Sequence, residues 1–347
     1  MSLRRTRMAG VLAAALTVTV LSAAALASGA GLSSLTGAGA TFPYPLYSKW
    51  FDVYQKEHKV AISYQSIGSG GGIQQLKSRT VDFGASDAPL SDQEMREMPA
   101  AVVHLPMVAG AVVIAYNLPG VQKGLKLSGD VVADIFLGSI TRWNDTRIAS
   151  PNPGVRLPNL AIAVAHRSDG SGTSYIFTSY LSAVSPTWAK RVGAGKAVNW
   201  PAGIGGKGND GVAGVVKQTP GAVGYVELAY ATQSKLPYAY IRNRAGQFVE
   251  PSIATTTAAA AGSVTAMRKD VRESIVNAPG KNAYPIAGFT YILCYQRPSN
   301  AGKGRTLAAF LRWAVTDGQK YAAPLLYAPL PREVVVLDES KIKAMGF

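Results

Sequence analysis

Short apolar runs of strand length alternate with amphipathic runs of helix length over most of this chain, and that alternation confines it to an α/β architecture. Strands are expected at 60–65, 81–85, 102–105, 111–116, 160–165, 222–226 and 289–295. A helix is expected over 43–57, where Leu46, Trp50, Val53 and Tyr54 share one face. Another is expected over 305–316, with Leu307, Phe310, Leu311 and Ala314 on one stripe and Gly318 as a stop. Ser91 and Glu94 have the spacing of a capping box. The 347 residues leave room for two domains, and 48% hydrophobic against 16% charged residues is a globular composition. Beyond the N-terminus, no stretch approaches the ~20 consecutive apolar residues of a spanning helix.

The N-terminus reads as a secretory signal. Arg4, Arg5 and Arg7 precede an apolar run from Val11 to Ala25, and Ala25-Leu26-Ala27 supplies a small-x-small cleavage pattern. A membrane anchor is the alternative, but the run is short and small residues follow it where an anchor would carry basic ones. The expected signal is therefore 1–27, cut after Ala27, with the periplasm as destination. Cys294 is the only cysteine, so neither an internal disulfide nor a cysteine zinc site can form, and a place in the core is expected for it. No cysteine follows the signal to carry a lipid. The net charge is +15, and loss of the three signal arginines leaves +12. The basic residues are scattered and belong to no nucleic-acid-binding module, so a field that attracts small anions is the sharper reading of a basic surface.

Three loops mix glycine with hydroxyl residues where a strand would hand over to a helix. They are Gly37-Ala38-Gly39-Ala40-Thr41-Phe42, Ser66-Ile67-Gly68-Ser69-Gly70-Gly71-Gly72 and Ser168-Asp169-Gly170-Ser171-Gly172-Thr173-Ser174. A helix N-terminus offers unpaired N–H groups and the positive end of a dipole, glycine permits close backbone approach, and hydroxyls add donors. In the third loop Arg167 could grip an oxyanion with its planar fork while Asp169 holds it in place. Spacing alone leaves an anion site and an ordinary N-cap turn with a surface ion pair both open. Asp87 is a turn residue unless the loops do bind an anion. It would then accept a hydrogen bond from an anion that still carries a proton, and would reject one that does not.

Other chemistries find less support. Gly203-Ile204-Gly205-Gly206-Lys207-Gly208 has dinucleotide-fingerprint spacing, but no convincing strand precedes it, and a loop capping a helix over 211–218 is the better reading. His58, His104 and His166 have no metal-ligand spacing. A secreted phosphate-ester hydrolase using Ser69 or Ser171 would need a base; His166 is nearest, but its neighbour Arg167 would point to the opposite face of a strand.

The stretches Leu35 to Pro43, Ile67-Gly68-Ser69, Thr80 to Asp92, Asp169 to Ser174, Gly205 to Gly211 and Pro220 to Glu227 together resemble the phosphate-binding proteins of bacterial phosphate ABC transporters. The resemblance spans nearly the whole chain after the signal. It implies a two-lobed periplasmic binding protein fold with the ligand in the cleft between lobes, the first lobe taking 32–107 and 286–347 and the second 108–285. It implies inorganic phosphate as ligand at Thr41, Phe42, Ser69, Asp87, Arg167, Ser171, Gly172 and Thr173, with Asp169 supporting Arg167. Arsenate, nearly isosteric, would also fit. The resemblance further implies binding rather than catalysis, no cofactor or metal, ABC transporter permease subunits as partners and a monomeric state. His166 departs from it, standing where relatives often carry a second arginine.

Overall fold

The computed structural model describes residues 33–347; the expected signal lies outside them. Eight strands form one curled mixed sheet in the order β2-β1-β3-β11-β4-β8-β6-β7. These are β1 (Ser33–Gly39), β2 (Val60–Ser66), β3 (Phe83–Ser86), β4 (Val102–Tyr116), β6 (Ala163–Arg167), β7 (Ile204–Gly206), β8 (Ala222–Glu227) and β11 (Ala287–Tyr295). A small second sheet joins β5 (Lys126–Leu127), β9 (Tyr240–Arg242) and β10 (Phe248–Val249). Among the described residues, no helix is long and apolar enough to cross a membrane.

β4 is the spine. Its first part, 102–111, pairs antiparallel with β11, and its last part, 112–116, pairs antiparallel with β8. One strand therefore belongs to both halves of the sheet. Every residue from His104 to Tyr116 is buried, as a near-continuous apolar run covered on both faces requires. The sequence reading divides this strand in two at Pro106 and Gly110, and the structure corrects it. Pro106 has no N–H to give to the ladder, and the register with β11 shifts between Thr290 and Tyr291, leaving Met107 as an extra residue on β4. The bulge lets the strand continue.

Other expected elements stand close to their predicted bounds. The helix read over 43–57 runs Tyr44–His58, and the one read over 305–316 runs Ala301–Val315. The capping box at Ser91 and Glu94 is formed in both directions. β1 and β7 are strands where sequence reading gave loops, and the helix expected from 211 starts at Gly208. Cys294 is buried in β11.

Glycines bring the helix Ser69–Lys77 hard against the end of β1. A Cβ on Gly72 would lie 2.4 Å from the Gly39 Cα and 2.5 Å from the Ala38 carbonyl oxygen, both backbone atoms with nowhere to go. Gly72→Ala would gain ~1 kcal/mol of helix propensity. The overpacking should outweigh that gain and leave the variant about 1–2 kcal/mol less stable in urea unfolding. A variant as stable as the parent would show that the helix can back away from β1.

Candidate functional site

The site is assembled at carboxyl ends of parallel strands, where open α/β sheets place their ligands. Thr41 follows β1, Ser69 opens the helix after β2, Asp87 follows β3 and Arg167 ends β6. β1 runs parallel to β2 and β3, and β6 runs parallel to β7 and β8; the end of β3 lies level with Pro106 and the end of β8 with Val112, so the two halves of the sheet present their loops to each other over the middle of β4. The helices Ser69–Lys77, Gly172–Val184 and Gly208–Gln218 all start beside these loops.

Arg167 is only 3% exposed. Its Nε donates to Asp169 Oδ1 at 2.7 Å and its Nη2 to Oδ2 at 2.5 Å, a two-pronged pairing that fixes the guanidinium plane. Nη1 reaches the Thr173 hydroxyl at 3.3 Å. Asp169 also accepts from the Gly208 N–H at 3.1 Å. Burial pushes the Asp169 carboxyl up, but the hydrogen bonds and charge of Arg167 outweigh it and hold the group below the usual carboxylate range.

The hydroxyls share one arrangement. Ser69 Oγ accepts the N–H groups of Gly172 at 3.0 Å and Asp87 at 3.2 Å. Thr41 Oγ1 accepts from the Asn209 side-chain amide at 2.7 Å and its backbone N–H at 3.3 Å. Thr173 Oγ1 accepts from the same side-chain amide at 3.1 Å as well as from Arg167. Ser171 Oγ caps its helix by accepting the Ser174 N–H at 3.0 Å. A hydroxyl has two acceptor positions and one proton to give. In Ser69, Thr41 and Thr173 both acceptor positions are taken by N–H donors, so each can only donate to anything that enters the cleft.

Asp87 is the exception in this ring of donors. It is buried, and its Oδ1 accepts from the Thr290 hydroxyl at 2.8 Å; Thr290 stands at the β4–β11 bulge. Burial raises its pKa to about 7, against the pull of the Thr290 hydrogen bond and the Arg167 charge. The two halves of the sheet meet around it. The Gly70 N–H donates to the Gly170 carbonyl at 2.8 Å, and Lys196 Nζ pairs with Glu94 Oε1 at 2.5 Å. A Cβ on Gly172 would stand 2.5 Å from both Asp87 Oδ2 and Ser69 Oγ.

The structure thus brings Thr41, Ser69, Asp87, Arg167, Asp169, Ser171, Gly172 and Thr173 together in one cluster. Phe42 contributes a buried ring, and its carbonyl accepts from the Tyr327 hydroxyl at 2.7 Å, while Tyr230 holds the Thr41 carbonyl at 2.6 Å. Sequence reasoning missed Asn209, Thr290, Glu227 and these tyrosines. Asn209 sits in the Gly-rich 205–211 stretch, and a lone amide after the Gly208 helix start was the available signal. His166 lies apart from this cluster. Its ring stacks on Trp200 with centroids 4.9 Å apart, and Nδ1 faces the Arg167 carbonyl. Among the described residues, no three His, Cys, Asp or Glu side chains are grouped so as to hold a metal ion.

The PBP superfamily domain model matches residues 24–318. A phosphate-binding protein PstS of Xylella fastidiosa is 46% identical over 302 residues, covering 87% of this chain and 82% of that protein. The chain belongs to the phosphate-binding protein PstS family. Its namesake in Haemophilus influenzae is 45% identical, with 90% of this chain and 93% of that protein covered. Among solved structures, a high-affinity periplasmic phosphate-binding protein bound with phosphate superposes with a TM-score of 0.70 at 22% identity, over 88% of this chain and 93% of that one. The phosphate binding protein of Stenotrophomonas maltophilia gives 0.67 at 22%, over 89% and 93%. The fold is that of the two-lobed periplasmic binding proteins.

The Asp87 carboxyl gives the empty protein a pH signature. Its folded pKa of about 7 lies above the ~3.9 of an unfolded aspartate, so the folded form keeps a proton that the unfolded form releases. That contribution is complete below about pH 4 and is lost as pH rises through 7, on the order of 4 kcal/mol at most. Asp87→Asn should flatten the decline in phosphate-free stability between pH 5 and 8, measured by urea unfolding; an unchanged slope would place the titration elsewhere, with buried Glu227 the first alternative.

Proposed function

We propose that this protein binds inorganic phosphate in the periplasm and hands it to the permease of an ABC transporter. One observation carries the reading: the Ser69, Thr41 and Thr173 hydroxyls, which can only donate, share one cluster with the buried carboxyl of Asp87. Hydrogen phosphate presents oxygens that accept and one hydroxyl that donates, which is the complement of that cluster. Sulfate has no proton at neutral pH, so one of its oxygens would face the carboxylate without a hydrogen bond and with like charge. The names of the relatives and the phosphate held by a structural neighbour agree with this ligand.

The mechanism is binding and release. Phosphate exchanges its water shell for Thr41, Ser69, Ser171 and Thr173 hydroxyls, for N–H groups of Phe42, Ser69, Gly172 and Thr173, and for the Arg167 fork, with Asp169 holding that fork. The chain divides functionally into one lobe of 32–107 and 286–347 and a second of 108–285. The chain crosses between them along β4, from Met107 to the point at Ala111 and Val112 where that strand changes partners, and again at Ile286, whose carbonyl accepts the Val112 N–H. The loaded monomer then docks on the permease subunits, outside the membrane.

Calorimetry tests the ligand. Phosphate should bind tightly, arsenate comparably, and sulfate at least ~10³-fold more weakly. Arg167→Ala should cost roughly 30- to 1000-fold in phosphate affinity with the fold intact by circular dichroism, and Arg167→Lys should recover part of it. Equal affinity for sulfate, or an Arg167→Ala variant within about threefold of the parent, would remove the corresponding residue from the site. Residues 1–27 act as a cleaved export signal. Mass spectrometry of the exported protein should show Ser28 as its first residue, and an uncut N-terminus would argue for an anchor.

A further inference from the structure

We infer that Asn209, which the sequence reading left without a role, fixes the direction of the Thr41 and Thr173 hydroxyls so that both can only donate to the ligand. The inference rests on the phosphate reading above and concerns how that ligand is recognised. Asn209 is fully buried in the first turn of the helix Gly208–Gln218. Its side-chain oxygen accepts the Glu227 N–H at 2.9 Å, which settles which end of the amide is which. The NH2 group must then face the cleft, and its two hydrogens go to Thr41 Oγ1 at 2.7 Å and Thr173 Oγ1 at 3.1 Å. Thr41 follows β1 in one half of the sheet and Thr173 follows β6 in the other, so one amide spans the two halves.

The consequence follows from counting donors and acceptors. Each threonine oxygen receives one hydrogen from the Asn209 side chain and a second N–H from the Asn209 backbone or from Arg167. Neither hydroxyl has an acceptor position left, and the proton of each is uncommitted. Without the amide, a hydroxyl could rotate and present a lone pair to the ligand, and an anion oxygen would then meet an acceptor. Asn209 is thus a positioning residue. It need not touch phosphate, and it acts through Thr41 and Thr173.

The test is a cycle of phosphate titrations on the whole protein. Asn209→Ala should weaken phosphate binding about tenfold. In a Thr41→Val/Thr173→Val background, where no hydroxyl remains to be oriented, the same change should cost less than about threefold. Asn209→Asp offers a carboxylate that can only accept. Both hydroxyls would turn toward it, and affinity should fall about 100-fold or more. A merely structural asparagine would produce equal losses in both backgrounds, and that result would overturn the inference. So would Asn209→Asp binding within threefold of the parent. If Asn209→Asp fails to fold, the alanine cycle alone decides. The parent protein reports on the underlying reading: a parent that binds no phosphate overturns both, whereas a parent that binds it beside an additive cycle overturns only the role of Asn209.

Discussion

The two halves of the sheet can meet at the site because glycines stand where they touch. At Gly70 and Gly170 the two halves of the sheet touch backbone to backbone, and a Cβ on either residue would stand 3.1 Å from the other's Cα. At Gly68, in the left-handed region at φ +87°, a side chain would collide with Asp169. These contacts bring the Ser69 hydroxyl within reach of the Gly172 N–H and set Asp87 beside the start of the helix Gly172–Val184. Bulkier residues here would hold the walls apart, and hydrogen bonds that cross the cleft would be lost together.

Within that enclosure charge is placed sparingly. The buried guanidinium of Arg167 is matched by Asp169 in its own loop, so the pair is neutral before any ligand arrives. In the proposed site bare N–H groups and hydroxyls are what an anion would meet, an arrangement that avoids the cost of burying several unpaired cations. The carboxyl groups of Asp87 and Glu227 are both shifted upward by burial. Glu227 accepts from the Tyr327 hydroxyl and the Ala229 N–H through one oxygen, while the other has no partner among the described residues.

The sequence revealed the parts of this design that are local. The strand 60–65 and the strand 289–295 follow from their own composition, and the three glycine–hydroxyl loops announce themselves by position. β1 did not, because its residues are chosen by what lies against them. A Cβ on Gly37 would enter the Phe83 ring and one on Gly39 would meet the Ala85 backbone, so small residues replace the apolar signal of a strand. β7 was hidden similarly, by Gly206 packed against the Gly211–Val212 backbone. In the site, Arg167 and Asp169 are two residues apart and legible as a pair. Asn209 meets Thr41 across 168 positions, and Thr290 meets Asp87 across 203. No spacing rule reaches that far; only the folded sheet brings them together.

The continuity of β4 also bears on how the molecule comes apart. A strand hydrogen-bonded to β11 along one stretch and to β8 along the next leaves no sheet edge where the two halves join. Remove one half, and the other is left with a long apolar ribbon whose backbone groups have lost their partners. Separate melting of the halves would strip the ladder along β4, a cost that favours their unfolding together.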